Sequence, residues 1–226
     1  MKMVDDLLIR QKMELQNMDA IAAARILRVR ILPLFLAVFL FQHSALAADT
    51  DSADSIERAE AWFADITTMQ ANFIQIASDG SAATGALHLS RPHRMKIIYE
   101  LDEPLVLLTT PVWLHVDRPN EKRVTSYPIR ETPLSLILQQ EVKLRSSDFT
   151  TRSKNENGIV SIVLTKETGT AAGELTLEFT EKPFELRRWT VRDAADVSTT
   201  ITLQNMSFGH SYENKFFAVS SYDENG

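Results

Sequence analysis

The chain contains no cysteine in 226 residues. That excludes disulfide staples, a thiol nucleophile, cysteine-ligated metals and a lipidated N-terminal cysteine. Glycine is scarce, seven in all and none clustered, so no phosphate-cradling loop can be built. Neither a G-x-S-x-G elbow nor an H-E-x-x-H pair occurs. No apolar run reaches the ~20 residues that span a bilayer as a helix. Basic side chains are outnumbered, 24 Lys and Arg against 30 Asp and Glu, for a net charge of −6. Such a balance suits neither nucleic acid nor an anionic lipid surface. His88, His93, His115 and His210 are scattered, with His88 and His93 reading as strand-face and turn residues. Glu100, Asp102 and Glu103 beside Pro104 read as a solvated turn, and Arg187-Arg188 as exposed strand arginines. No metal site, cofactor or catalytic residue is assigned.

What is present begins with an export signal. Arg25, Arg28 and Arg30 precede an apolar run, Ile31 to Phe41, and Ala45-Leu46-Ala47 follows as a small-x-small cleavage site. Residues 1–47 are therefore expected to be a signal peptide, with Met18 as a plausible start and residues 1–17 as a start-site artefact. That piece holds 6 of the 24 Lys and Arg and 4 of the 30 Asp and Glu, which leaves 48–226 at net −8. Residues 48–226 are expected to form one domain, exported, unanchored and free in the periplasm.

Asp49 to Asp54 is polar and is expected to fray. Ser52 or Ser55 is expected to cap a helix, with Asp51 and Asp54 near its N-terminal dipole. Ile56, Ala59, Phe63 and Ile66 share one helical face, which Trp62 widens. Short strands dominate the rest. Phe73, Ile74 and Ile76 give apolar content to a first strand. Leu87 and Leu89 alternate with His88 and Ser90 in a second, which Arg91-Pro92 ends. Met95, Ile97, Tyr99 and Leu101 follow, then Leu105 and Leu107, then Val112, Leu114 and Val116. Lys122 to Tyr127 reads as a polar strand, Ile159 to Thr165 as a central one, and Leu175, Leu177 and Phe179 as an amphipathic one. A phase slip from Phe184 and Leu186 to Trp189 and Val191 predicts a bulge near Arg187-Arg188. Val197 to Leu203 and Lys215 to Ser220 complete ten to twelve strands of an antiparallel sheet or barrel. One further helix is expected after Pro133, capped by Thr132. Its apolar Leu134, Leu136, Ile137 and Leu138 require a cover, as a barrel plug or a cavity lid.

The order Ala71-x-Phe73-x-Gln75, spacer, Gly85-x-Leu87-x-Leu89-x-Arg91-Pro92 resembles the outer-membrane lipoprotein carrier family (LolA-like). The resemblance extends from about Ile56 to Val219 through Trp113, the Thr132 to Leu138 segment and a late hairpin, Trp189 to Leu203, with Asp193 at its turn. It implies an incomplete, strongly curved antiparallel β-barrel with helices forming a lid over an apolar cavity that receives acyl chains. It also implies that Arg91 latches the lid closed. Two departures stand out. Ile97 occupies a position where the family usually has an aromatic, and Thr110-Pro111-Val112 precedes Trp113 where Asp-Gly is frequent.

From these features the expected lining is Phe73, Leu87, Leu89, Met95, Ile97, Leu107, Leu114, Leu175 and Leu177. The expected lid face is Phe63, Ile66, Leu134, Ile137 and Leu138. The implied function is a monomeric periplasmic chaperone. It would take lipoproteins from an inner-membrane ABC-type release complex to an outer-membrane acceptor, with no cofactor. A chain of ~15 methylenes resists entering water by roughly 12 kcal/mol, so crossing an aqueous compartment requires such a carrier. The alternative is a carrier or sensor on the same fold for a polyisoprenoid or glycolipid. A periplasmic hydrolase on an all-β scaffold is the third reading.

Overall fold

The computed structural model describes residues 45–169 and 172–222, with side chains from Ser52 onward. Residues 1–44 of the expected export signal lie outside the described residues. The chain divides into two units, Met1–Asp51 and Ser52–Gly226, and the sheet belongs to the second.

Helix α1, Ala45–Asp65, leads into eleven strands: β1 Thr68–Ala77, β2 Ala82–Ser90, β3 Arg94–Tyr99, β4 Leu105–Thr109, β5 Trp113–Arg118, β6 Arg123–Pro128, β7 Thr150–Glu156, β8 Ile159–Lys166, β9 Gly173–Glu181, β10 Phe184–Asp193 and β11 Ser198–Phe208. A one-turn helix α2, Leu134–Ile137, lies between β6 and β7. All strands form one sheet in the order β6-β5-β4-β3-β2-β1-β11-β10-β9-β8-β7, and every pairing is antiparallel. Strands β6 and β7 are its edges, so the barrel stays open.

Period-2 alternation assigns the two faces. Phe73 stands opposite Gly85 and Leu203. Leu87 meets Ile97, Ile97 meets Leu107, and Leu107 meets Val116. On the other side Ile201 meets Trp189, Trp189 meets Leu177, and Leu177 meets Ile162. One mostly apolar face therefore runs from β5 to β8. Gly85 makes room for it: a Cβ there would lie 2.1 Å from the Ile98 carbonyl oxygen and 2.8 Å from the Phe73 ring.

The bulge expected near Arg187-Arg188 is present, as a register shift between Leu186 and Arg188. Asp193 turns the last hairpin, its Oδ1 accepting from the Ala195 and Val197 amides at 2.9 Å. Several expectations are corrected. Helix α1 runs through Asp51, Ser52, Asp54 and Ser55, which neither fray nor cap it; Ser55 is buried, and Ser52 bonds Ser153 of β7 at 2.9 Å. Ile74 and Ile76 point outward, Ile76 being 51% exposed, while Gln75 takes the buried position between them. Leu101 and Val112 are exposed and lie outside the strands. Strand β8 is next to the edge, not central. Thr132 does not cap α2; its hydroxyl donates to the Ile129 carbonyl at 2.8 Å, and Pro133 occupies the cap position. Lys215 to Ser220 is not a strand. Asn214–Phe217 is a 3₁₀ turn, because Phe216 and Phe217 both pack on neighbouring rings and period 2 would separate them.

Candidate ligand-binding face and its helical roof

All nine expected lining residues are at most 7% exposed, and their strand registers place them on the single inner face. Of the expected lid residues, Phe63, Ile137 and Leu138 are buried, whereas Leu134 and Ile66 are half-buried. Ile66 falls just beyond the end of α1.

Helix α1 is fastened at several points between Ser52 and Phe63. Arg145 Nη2 donates to the Ala53 carbonyl at 3.1 Å, and the Leu144 amide donates to Glu60 Oε1 at 2.6 Å. Arg58 lies 4.3 Å over the Phe184 ring and donates to the Glu181 carbonyl at 3.3 Å. Trp62 and Phe63 meet Phe179 of β9 edge-on, at centroid distances of 5.7 and 6.1 Å. The segment after α2 buries Leu138, Val142 and Leu144. A groove of about 450 Å³ runs between α1 and residues 140–145, lined by Glu57, Glu60, Val142, Lys143 and Arg145 among others. Its walls mix acids and bases, unlike the inner face.

Arg91 joins the two roofing segments. One Nη donates to the Phe63 carbonyl and, at 3.3 Å, to the Ile66 carbonyl. The other donates to the Gln139 and Gln140 carbonyls at 2.6 and 3.3 Å. The first pair belongs to the C-terminal end of α1, where unsatisfied carbonyls and the helix dipole favour a cation. Burial lowers the Arg91 pKa from its ordinary value, and its Nε is buried without a partner. The next residues continue the same junction, with the His93 amide donating to the Leu138 carbonyl at 2.8 Å.

Residue-by-residue reading missed three features. Gln75 and Tyr99 form a buried polar pair on the inner face, the Tyr99 hydroxyl donating to Gln75 Oε1 at 2.8 Å, and burial pushes the Tyr99 phenol far above its ordinary value. Both sit at inward positions of their strands, so the alternation could have found them. The Arg91 acceptors are main-chain carbonyls, which leave no side-chain signature. On the outer face, residues after β11 cross β2 to β5 as a strap. His88 packs on Phe216 at 4.9 Å and Tyr212 at 5.8 Å. Lys96 Nζ donates to the Phe216 carbonyl at 3.1 Å, and Arg94 lies over Phe217 at 5.3 Å. The Tyr222 hydroxyl donates to Asp117 Oδ1 at 2.6 Å, and Ser220 donates to Oδ2. Arg187 and Arg188 are paired with Glu185 and Glu178.

An open antiparallel sheet whose apolar face is roofed by helices defines the class of hydrophobic-ligand carriers. The family model for the outer membrane lipoprotein carrier protein LolA matches residues 64–220, and the chain belongs to that family. No curated protein matches the sequence. Among solved structures, a LolA superfamily protein from Nitrosomonas europaea is similar at 8% identity and a TM-score of 0.46, covering 74% of this chain and 97% of that one. An uncharacterized conserved protein from Thermus thermophilus is similar at 9% and 0.46, covering 78% and 95%. MucB in its Pseudomonas aeruginosa complex with MucA is similar at 11% and 0.41, covering 75% and 61%. Likeness at this level carries no information about ligand.

Proposed function

We propose that this protein is a periplasmic carrier that holds lipoprotein acyl chains against the inner face of its sheet. It receives lipoproteins from an inner-membrane ABC-type release complex and delivers them to an outer-membrane acceptor. Residues 1–47 act as its export signal, and residues 48–226 work as a monomer that performs no chemistry and uses no cofactor. Phe73, Leu87, Leu89, Met95, Ile97, Leu107, Leu114, Leu175 and Leu177 serve as the lining. Phe63, Ile66, Leu134, Ile137 and Leu138 serve as the lid face, and Arg91 latches it. The observation that carries this reading is the Arg91 guanidinium bridging four carbonyls of two roofing segments above one mostly apolar face. A covalent seal would not open. Four hydrogen bonds, each worth about 1 kcal/mol net or somewhat more with a charged donor, can be exchanged for the burial of a chain.

The test adds the exported, processed protein to spheroplasts depleted of their own carrier. Outer-membrane lipoproteins should appear in the supernatant, complexed with the protein. Absence of release by a folded protein would sink the lipoprotein assignment, and native mass spectrometry of co-purified lipid would then identify the ligand. Arg91→Leu should impair transfer to the acceptor, and transfer at the wild-type level would count against the latch.

A further inference from the structure

Arg91 is held only by neutral acceptors. Its Nη groups donate to four main-chain carbonyls, it takes part in none of the ion pairs among the described residues, and its buried Nε donates to nothing. Parting the roof to admit a chain takes those carbonyls away. The half-buried guanidinium then turns either to water or to the ligand, and a hydrocarbon tail offers it no acceptor. The linkage at the head of an acyl chain does. Each ester or amide puts a carbonyl oxygen at the junction of head and tail, the same acceptor type that the closed roof supplies.

We propose that in the loaded protein Arg91 exchanges the carbonyls of α1 and of residues 139–140 for the ester and amide carbonyls of the bound ligand. Arg91 is then a reader of acyl linkage as well as a latch, and the ligand class is ester- or amide-linked chains rather than ether-linked or isoprenoid ones. The planar fork suits this, because it presents several donors in fixed directions to paired oxygens. The orphan Nε adds a donor that the closed state leaves unused. Neutral acceptors also fit a carrier that must let go. An anionic head would form charge-assisted bonds roughly twice as strong and would resist release. Exchanging one carbonyl set for another keeps the open and closed states close in energy, so that tail burial decides between them.

This inference rests on the carrier reading, and its test separates the two. The purified exported protein is titrated with dioctanoylglycerol, with the dioctyl ether of the same chain length, and with the dioctyl ether bearing a phosphate head. Each competes against a fluorescent hydrophobic probe. The diester should bind about tenfold more tightly than the neutral diether. Arg91→Met should bring that ratio to about one, and Arg91→Lys, which keeps the charge but loses the fork, should leave it in between. Should Arg91→Met fail to fold, the Lys variant alone decides, since an undiminished ratio there overturns the proposal. Equal affinities in the unmodified protein, or a preference that survives Arg91→Met, also overturn it. Tightest binding of the phosphate compound overturns it in favour of an anion site. Binding of neither neutral lipid overturns the carrier reading and this inference together.

Discussion

Gly85 is fixed by contact rather than by backbone conformation. Phe73 lies across it, and Ile98 closes the other side. A methyl group there must displace either a strand carbonyl or a fully buried ring, so Gly85→Ala should lower stability by roughly 1–3 kcal/mol in urea denaturation. An unchanged midpoint would show that the Phe73 ring moves aside freely. The neighbouring Tyr99 gives a pH test. Its phenol is raised by burial, so the folded state holds the neutral form more firmly than the unfolded chain does. Its contribution is complete below the unfolded value of about 10, and it is lost as pH rises from there toward the higher folded value. Ultraviolet titration should therefore show Tyr99 silent until the protein unfolds in alkali. Tyr99→Phe should remove that behaviour and leave Gln75 Oε1 unpaired, at a cost on the order of 1–3 kcal/mol.

Among the elements, the outer strap is held to the sheet by ring contacts and side-chain hydrogen bonds. Its far end depends on the two Asp117 bonds and its middle on rings packed around His88. The His88 pKa is lowered, first by burial and then by the charges of Lys96 and His210. A depressed folded value means that the unfolded chain takes the proton first, so stability is full above about 6.5 and falls as pH drops below it. Hydrogen-exchange protection of the amides around Tyr212 and Phe216, taken relative to the intrinsic exchange rate at each pH, should fall between pH 7 and pH 5, while that of β8 and β9 should not. His88→Gln should flatten that dependence, and a pH response that persists in the variant would place the switch elsewhere. Asp117→Asn should quicken exchange near Tyr222 at every pH.

The sheet was largely legible before the structure, and the reason is one-sided burial. Wherever one face is covered, period 2 is imprinted on the sequence, as in Leu175, Leu177 and Phe179, and even the slip at Leu186 and Arg188 shows as a change of phase. The C-terminal segment was not legible, because long-range ring contacts decide it, and local cap signals misplaced the start of α1. Ser52 and Ser55 look like caps locally, yet the helix passes through them, and adjacent Phe216 and Phe217 mimic a strand that the chain never forms. Of the site, Arg91 was visible beside its proline, but its carbonyl partners are sequence-independent. For the whole molecule the decisive quantity is how binding scales with the ligand. If the inner face takes up a chain, each added methylene contributes about 0.8 kcal/mol, or roughly fourfold in affinity. Affinity should climb at that rate along a homologous series of acyl chains and then level off where the face between β5 and β8 is filled. It should barely respond to salt, because burial rather than charge drives it. Calorimetry or probe displacement across the series measures both, and ligand at about 100 times its Kd should stabilise the fold by about 2.7 kcal/mol. An affinity flat with chain length would mean that the apolar face is a closed core, and the carrier reading would fall with it.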